Sequence, residues 1–587
     1  MKKFFRTFFA ALLAFIIGSL LCMFIFFGIL GAMFSFADTS EEVTVKPNTV
    51  LHIMLDQPVQ ERGGNNLSNI DVFNLSMESS TGLNDLVKGI KKAADDPNIK
   101  LVYMDLSHIA IGLAQLEELR EALVQFKESE KPIIAYGDNF SQSAYYLSTV
   151  ADKIYLNPYG ALALQGLSVE VTFFKRLLEK LQIDVQIIRH GKFKSAVEPF
   201  MLDEMSKENE TQLLSFTNSI WRHWLEKIAA ARQADVKKLQ ALIDDYTFSI
   251  VSPAAAALEN GLVDGLVYKD ELLDELARLT GVNTEKDLAL LNIAKYAKTV
   301  APNLTAKDRI AVVYADGEIS LGKSKDGITD WQFANLLRDL RRKDNVKAVV
   351  LRVNSPGGSA QASEIIAREL ALLNEIKPVV VSMSNYAASG GYWISTPSRA
   401  IVANPTTLTG SIGVFGIVPN MEKGLRNHLG LTVGVAKTTK AADFPSVTRP
   451  LTAQERNKFQ GMVDNTYTQF VANVAKDRET TEKNVDEIGQ GRVWTGLQAL
   501  ENGLVDYLGG LDHAISIAAG LAELTNYRVT ELPEQKDPFT QLLEMFKNTS
   551  INAKGTIFQT YKQLEKQAEQ LLQTKVLARM PFDVEIY

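Results

Sequence analysis

The 587-residue sequence predicts an α/β protein built from two tandem copies of one unit behind a single N-terminal transmembrane helix. The duplication is read from blocks that recur at a nearly constant offset. Ala257-Leu-Glu-Asn-Gly-Leu-Val-Asp264 returns as Ala499-Leu-Glu-Asn-Gly-Leu-Val-Asp506, an offset of 242. Lys131-Pro132, ahead of a β-branched run, returns as Lys377-Pro378 at 246, and Asn157-Pro158 as Asn404-Pro405 at 247. The α/β class is read from apolar strands that alternate with amphipathic helices, an order that implies right-handed crossovers. The helix is read from an uncharged stretch over residues 7–37.

Taken in order, the chain begins with Lys2, Lys3 and Arg6, followed by that uncharged stretch. At ~1.5 Å per residue it exceeds the ~30 Å hydrocarbon core of a bilayer. A cleaved signal peptide has a shorter apolar region of roughly 7–15 residues. Ser35-Phe36-Ala37 resembles a weak cleavage site, but the length favours an uncleaved anchor. The basic residues favour the cytoplasmic side, which puts the body outside the cytoplasm. In a bacterium this is the inner membrane, with the body on the periplasmic face. A polar linker spans 38–48.

The first unit is expected over 45–300, the second over 301–530, and a helical C-terminal arm over 531–587. In the first unit, residues 50–55, 101–105, 132–136, 153–156 and 185–188 read as strands. Residues 113–126 read as a helix with Leu116, Leu119, Leu123 and Phe126 on one face. The second unit repeats the order, with strands at 310–314, 348–353 and 378–382 and a helix at 362–373. Each unit ends in a long helical segment and the Glu-Asn-Gly-Leu-Val-Asp block, whose glycine is expected to end a helix. Residues 537–575 read as helical with imperfect apolar spacing, an arm for packing or oligomer contacts.

The net charge of −7 and the pI near 5.7 give no reason to expect nucleic acid. Cys22, within the anchor, is the single cysteine, so one chain has neither a disulfide nor a Cys-based metal site. No metal and no cofactor are expected.

The two copies differ where chemistry is expected. The second reads Arg352-Val-Asn-Ser-Pro-Gly-Gly-Ser359 after its second main strand; the first reads Asp105-Leu-Ser-His-Ile-Ala-Ile-Gly112. Gly357 and Gly358 let backbone N–H groups approach a ligand closely at the start of a helix, so they are candidates for an oxyanion hole. The next loop reads Asn385-Tyr-Ala-Ala-Ser-Gly-Gly-Tyr392 in the second copy and Asn139-Phe-Ser-Gln-Ser-Ala-Tyr-Tyr146 in the first. Ser411 follows in Leu408-Thr-Gly-Ser-Ile-Gly413, too Gly-rich for a regular strand, where a serine can be presented to a cleft.

A serine nucleophile needs a base. None of the six histidines sits in a motif that a Ser-His-Asp triad predicts. Lysine is the other option, since desolvation disfavours its ammonium and frees the amine to accept a proton. Lys194 lies in His190-Gly-Lys-Phe-Lys-Ser-Ala-Val-Glu-Pro199, and Lys440 aligns with it in the second copy. The bland reading of any one such lysine is a solvated surface charge.

Together Asn354-Ser-Pro-Gly-Gly358, Ala388-Ser-Gly-Gly-Tyr392, Leu408-Thr-Gly-Ser-Ile-Gly413 and Gly191-Lys-Phe-Lys-Ser-Ala-Val-Glu-Pro199 resemble the signal peptide peptidase A family in its long, duplicated form. The likeness runs from the anchor to about residue 520. It implies two Clp/crotonase-like domains, a Ser/Lys dyad and a bowl-shaped homotetramer whose clefts face the membrane. It also implies that the protein degrades signal-peptide remnants after their release. Carried over, Ser411 is the nucleophile, Lys194 the base, and Gly357 and Gly358 the oxyanion hole. Ser389 is the rival nucleophile, because distant Clp-type enzymes use a serine in that loop. Lys440 is the rival base, because in single-copy relatives the lysine follows the serine within one unit. Two other classes remain beside this one: a crotonase-like acyl-CoA enzyme, which an extracytoplasmic body argues against, and a non-catalytic membrane-anchored scaffold.

Overall fold

Runs such as Val349-Val-Leu351 and Val379-Val-Val381 are apolar on both faces and β-branched, which suits strands covered on both sides by helices. The computed structural model describes residues 2–37, 43–64, 70–71, 76–77, 81–301, 303, 305–324, 327–535 and 576–580, with the side chains of 2–5, 25–37, 70–71, 76–77 and 576 excepted. Its first unit holds a parallel six-stranded sheet in the order Gly265–Leu266, Lys153–Leu156, Ile133–Gly137, Ile99–Ile109, Thr49–Leu55, Leu290–Asn292. The second unit repeats it with Tyr507–Leu508, Ala400–Ala403, Val379–Ala388, Val346–Ser355, Arg309–Asp316 and Arg528–Leu532, again all parallel. Two α/β units of one topology therefore stand in tandem, as the repeat predicts. The helix Leu113–Phe126 has the expected bounds, and the expected helix at 362–373 runs Ala360–Asn374.

The recurring sequence blocks do the same work in both copies. Lys131 Nζ donates to the Ala93 and Asp96 carbonyls at the end of the helix Leu83–Asp95, at 2.8 and 2.6 Å. Lys377 Nζ donates to the Leu340 and Lys343 carbonyls at the end of the helix Asp330–Arg342, at 2.7 and 2.6 Å. Each lysine satisfies orphan carbonyls where the helix dipole favours a cation. The final aspartate of the longer block accepts from a strand amide: Asp264 from Ile154 and Asp506 from Ile401, both at 2.8 Å. Arg232 pairs with the first and Arg478 with the second. Gly261 and Gly503 end their helices in the left-handed region, with φ of 71° and 75°.

A third sheet joins the copies. Its order is Ile328–Thr329, Ile319–Ser320, Gly357–Ser359, Val576–Arg579, Val414–Asn420, Asp184–His190. The last strand belongs to the first unit by sequence, yet pairs antiparallel with Val414–Asn420 of the second along its whole length. The Gly-Gly loop is itself a short strand, Gly357–Ser359, before its helix begins. The expected helix over 537–575 lies outside the described residues. The described end of that extension, Val576–Arg579, is a strand. At the other end a continuous helix spans Lys2–Ala37, and its Arg6–Phe24 section is long and apolar enough to cross a membrane, with its side chains exposed.

Polar contacts key the two units together. Arg352 of the second unit is fully buried, with Nε 2.7 Å from Glu61 Oε2 and Nη2 2.6 Å from Glu118 Oε1 of the first. Arg352 Nη1 also donates to Ser382 Oγ at 2.8 Å, and Asn404 donates to Glu118 at 2.8 Å. Burial is the largest influence on Glu118 and pushes its carboxyl up, against the pull of Arg352. Asn385 of the second unit accepts from the Ala114 amide at 3.0 Å, at the N-terminus of the helix Leu113–Phe126. Removing one partner of such a buried pair strands the other charges. Arg352→Ala is therefore expected to destabilise the protein by about 3–5 kcal/mol, read from the urea midpoint. Adding Glu61→Gln and Glu118→Gln to it is expected to recover part of the loss.

Candidate active site

The strand Asp184–His190 ends where the tight turn at Gly191 begins, and this turn carries Lys194 away from its own unit. Because the strand is paired with Val414–Asn420, the turn lies against the second copy. The Phe193 amide donates to Gln490 O at 2.8 Å. Gly491, with φ of 83°, lies flat on the Lys194 backbone: a Cβ there would come within 2.6 Å of the Lys194 amide nitrogen. The same short loop reaches the other side of the site, where the Ser411 amide donates to Arg492 O at 2.7 Å. From the first unit, Gln212 donates to Ser195 Oγ at 2.7 Å and to Phe193 O at 3.1 Å, and accepts from the Val493 amide at 3.3 Å.

These contacts enclose the Lys194 side chain, which has no solvent exposure. Its Nζ stands 2.8 Å from Ser389 Oγ, 3.0 Å from Ser411 Oγ and 3.1 Å from the Ser411 carbonyl oxygen. Burial holds its pKa well below the ordinary ammonium value. An amine in this setting can be neutral and accept a proton from a hydroxyl it touches. Lys440, the aligned residue of the second copy, is exposed in the loop after the helix Glu422–Leu429. The structure brings Lys194, and not Lys440, to the serines.

Both serines are buried and both have a positive φ, 57° at Ser389 and 51° at Ser411. Their surroundings differ. Ser389 immediately precedes Gly390 and caps the short helix Gly390–Trp393. Gly357 lies against that turn: a Cβ on it would come 2.8 Å from the Gly390 amide nitrogen and 3.0 Å from the Ala388 carbonyl. The paired glycines and the Gly390 amide thus flank Ser389. Ser411 instead ends the strand Leu408–Gly410 among Gly491, Gly413 and the lysine stem. The first copy has a serine at the position of Ser389, namely Ser143, but it lies inside an ordinary helix, Gln142–Ser148. Ala144 and Tyr145 replace the two glycines there, and the sharp turn is absent.

Sequence reasoning missed the Gln490–Arg492 loop and Gln212, which hold the lysine turn. The Gly489-Gln-Gly491 sequence was the available signal for the first; Gln212, one polar residue in the 26-residue helix Lys207–Arg232, offered none.

Residues 125–283 and 371–525 match the model of peptidase family S49, one segment in each copy. The chain belongs to peptidase family S49. It is 39% identical over 455 residues to Protease 4 of Salmonella typhi, covering 76% of this chain and 73% of that one. It is 32% identical over 494 residues to a chloroplastic serine protease SPPA of Arabidopsis thaliana, covering 83% of this chain and 72% of that one. Among solved structures it is similar to a mutant ClpP1 from Listeria monocytogenes, at 13% identity, 35% and 94% coverage and a TM-score of 0.25. As an S49 member it is a serine peptidase that acts on peptides, which sets aside the acyl-CoA and scaffold classes.

A lysine whose folded pKa is depressed by burial holds its proton less tightly in the fold than in the unfolded chain, which costs stability. That penalty is complete below the folded pKa and vanishes as pH rises toward the free value of about 10.4. Lys194→Met is therefore expected to be more stable than the wild type at pH 7. The gap in urea midpoint should narrow steadily toward pH 10; a gap independent of pH would show that the amine is unshifted.

Proposed function

We propose that this S49 peptidase cuts released signal peptides with a Ser/Lys dyad, at the periplasmic face of a bacterial inner membrane. Ser389 is the nucleophile, Lys194 the general base, and Gly357, Gly358 and the Gly390 amide form the oxyanion hole. The observation that carries this reading is the fully buried Lys194 Nζ, 2.8 Å from a serine that adjoins the paired glycines. The neutral amine takes the hydroxyl proton as Ser389 Oγ attacks the peptide carbonyl carbon. Backbone N–H groups hold the negative charge that develops on the carbonyl oxygen. The lysine then returns the proton to the leaving amine, and water, activated by the same amine, releases the acyl group. In this reading Ser411 accepts or donates one hydrogen bond to Nζ and fixes its direction.

A second reading keeps Ser411 as the nucleophile. It is favoured by the 3.0 Å contact between Lys194 Nζ and Ser411 Oγ and by the positive φ of Ser411. The two separate cleanly by mutation and labelling. With Ser389 as nucleophile, Ser389→Ala lowers kcat by more than about 10³-fold, and a fluorophosphonate probe modifies Ser389. Ser411→Ala then keeps measurable turnover, reduced by about 10²-fold, with its pH profile displaced. Labelling of Ser411, or survival of turnover in Ser389→Ala, selects the second reading. In both, activity rises with pH as Lys194 deprotonates, and Lys194→Arg is inactive because a guanidinium keeps its proton.

The apolar anchor favours substrates at a bilayer, and Val197, Phe415 and Ile417 form a buried apolar cluster beside the site, suited to peptide side chains without charge. Self-assembly into a ring, the homotetramer that the resemblance implies, has support from the repeat. Residues 168–174 and 430–436 are the counterparts of the paired strands Val414–Asn420 and Asp184–His190, displaced by about one repeat. Neither is in a strand, and Leu431, Val433 and Val435 are 49–56% exposed. Pairing 430–436 of one chain with 168–174 of the next would repeat the internal contact head to tail and close a ring. Leu431→Lys with Val433→Lys is expected to leave a monomer by sedimentation.

A further inference from the structure

The turn that carries Lys194 and the loop that covers it come from different copies, and two stacks tie them together. At the start of the turn the His190 ring lies on the Tyr467 ring, with centroids 4.0 Å apart. The Tyr467 hydroxyl accepts from the Gln490 amide of the covering loop at 3.2 Å and donates to Asp486 at 2.5 Å. At the far end Phe193 of the turn meets Arg492 of the loop. The guanidinium carbon of Arg492 stands 5.2 Å from the centre of the Phe193 ring and 4.1 Å from that of the Trp494 ring. One ring from each copy therefore shares one cation. The Trp494 indole N–H donates to Ile488 O at 2.9 Å, which fixes the plane of the second ring.

Among the described residues no carboxylate pairs with Arg492. Its Nε has no hydrogen-bond partner, and Nη2 reaches Ser215 Oγ only at 3.5 Å. Burial pulls its pKa down, with no counter-charge to offset the loss of water. Ring faces are what hold such a cation. A carboxylate in their place would set a negative charge beside the lysine turn and favour the ammonium. The charged groups packed around the turn are engaged elsewhere. Glu198 accepts from Ser206 Oγ at 2.6 Å and faces Arg189 at 3.8 Å. Asp464 pairs with His190 at 2.8 Å, and Asp486 bonds to Tyr467 and Gln490. Lys192 Nζ lies over the Phe193 ring at 5.2 Å.

The repeat shows that the stack diverged together with the base. At the offset of 242 that relates the Ala257 and Ala499 blocks, Arg492 corresponds to Ile250 and Trp494 to Ser252. At the offset of 246 that aligns Lys194 with Lys440, Phe193 corresponds to Thr439. These counterparts include neither a cation nor an aromatic ring. Ile250 is 74% exposed, and Lys440 is exposed as well.

We propose that Arg492 is a positioning residue for the base: its stack on Phe193 and Trp494 holds the Gly489–Arg492 loop closed on the lysine turn and keeps water from Lys194 Nζ. This role rests on Lys194 being the base, with either serine as nucleophile. Gly491, the neighbour of Arg492, lies so close to Lys194 that a Cβ on it would collide with the lysine amide nitrogen, Cα and Cβ. A lift of the loop by one water diameter uncovers that stem. Water that reaches Nζ solvates the ammonium and returns its pKa toward the free value. Closure of the loop thus sets the pH at which the amine becomes neutral and able to take the serine proton.

The test is the pH profile of kcat for the purified full chain on a fluorogenic apolar peptide. In Arg492→Met the rising limb is expected about one pH unit higher than in the wild type, so activity on the limb falls about tenfold and approaches the wild-type plateau at alkaline pH. Arg492→Lys keeps the charge but loses the plane, and is expected to move the limb in the same direction. Phe193→Leu removes the ring on the other copy and carries the same test if Arg492→Met does not fold. Combining it with Arg492→Met is expected to add little further shift, since the two residues share one contact. A second readout needs no activity: the gain in urea midpoint from Lys194→Met at pH 7 is expected to be smaller in the Arg492→Met background than in the wild type. A limb that stays in place, with kcat lowered equally at every pH, makes Arg492 merely structural and overturns the role. A limb that moves in Arg492→Met but not in Arg492→Lys assigns the effect to charge and overturns the stack. Wild-type activity that does not rise with pH overturns Lys194 as the base, and the role of Arg492 with it.

Discussion

An amine works as a base near neutral pH only if water is kept from its ammonium form, and in the proposed dyad the architecture of this protein serves to bury Lys194. No single α/β unit here encloses it. The first copy supplies the strand Asp184–His190 and the turn that holds the residue, and the second supplies the loop around Gly491 that covers it. The desolvation that lowers the pKa of Lys194 is thus a property of the contact between the copies. A carboxylate beside Nζ would undo it by favouring the ammonium; its bonded neighbours are two hydroxyls and a carbonyl instead.

Duplication makes such a split site attainable, and the two serines at equivalent positions show what divergence changed. Ser143 and Ser389 occupy the same place in the repeat. Ser389 has a φ of 57° because Gly390 and Gly391 allow a tight turn against the glycine pair, while Ser143, followed by Ala144 and Tyr145, sits in a regular helix. In the proposed dyad the hydroxyl alone is therefore not the functional unit; the backbone that aims it is. The lysines diverged the other way, with the first copy's residue carried on the turn after a strand paired to the second copy and the second copy's left in an exposed loop.

Much of this was legible in the sequence because it depends on local pattern. The repeat, the order of strands and helices, the bounds of Leu113–Phe126 and the motif holding Lys194 follow from periodicity and from blocks whose lysines and aspartates perform identical bonding in both copies. Which of two serines faces the glycine pair was not legible. Both follow small residues and both precede a glycine within two positions. Their difference is a contact between Gly357 and Gly390, residues 33 apart in sequence, that only the fold creates. The strand at Val576 was equally hidden, since four residues at the end of a long extension have no period to read.

The remaining question is what fixes the copies at the one relative position that closes the site. Apolar contact alone is a poor answer, because it tolerates sliding between surfaces of similar shape. Buried polar groups do not tolerate it. Arg352 reaches Glu61 and Glu118 across the boundary, Asn385 caps a helix of the other copy, and Gln212 bonds to both sides of the lysine turn. Buried ion clusters add little net stability, since desolvation offsets most of the attraction, but a shift of a few ångströms would leave every member unpaired. The position equivalent to Arg352 in the first copy is Asp105, which pairs with Lys269 inside its own unit. Opposite charges at one repeat position make the two faces unlike, so the second copy can dock on the first in one sense only, the sense that brings Lys194 to the serines.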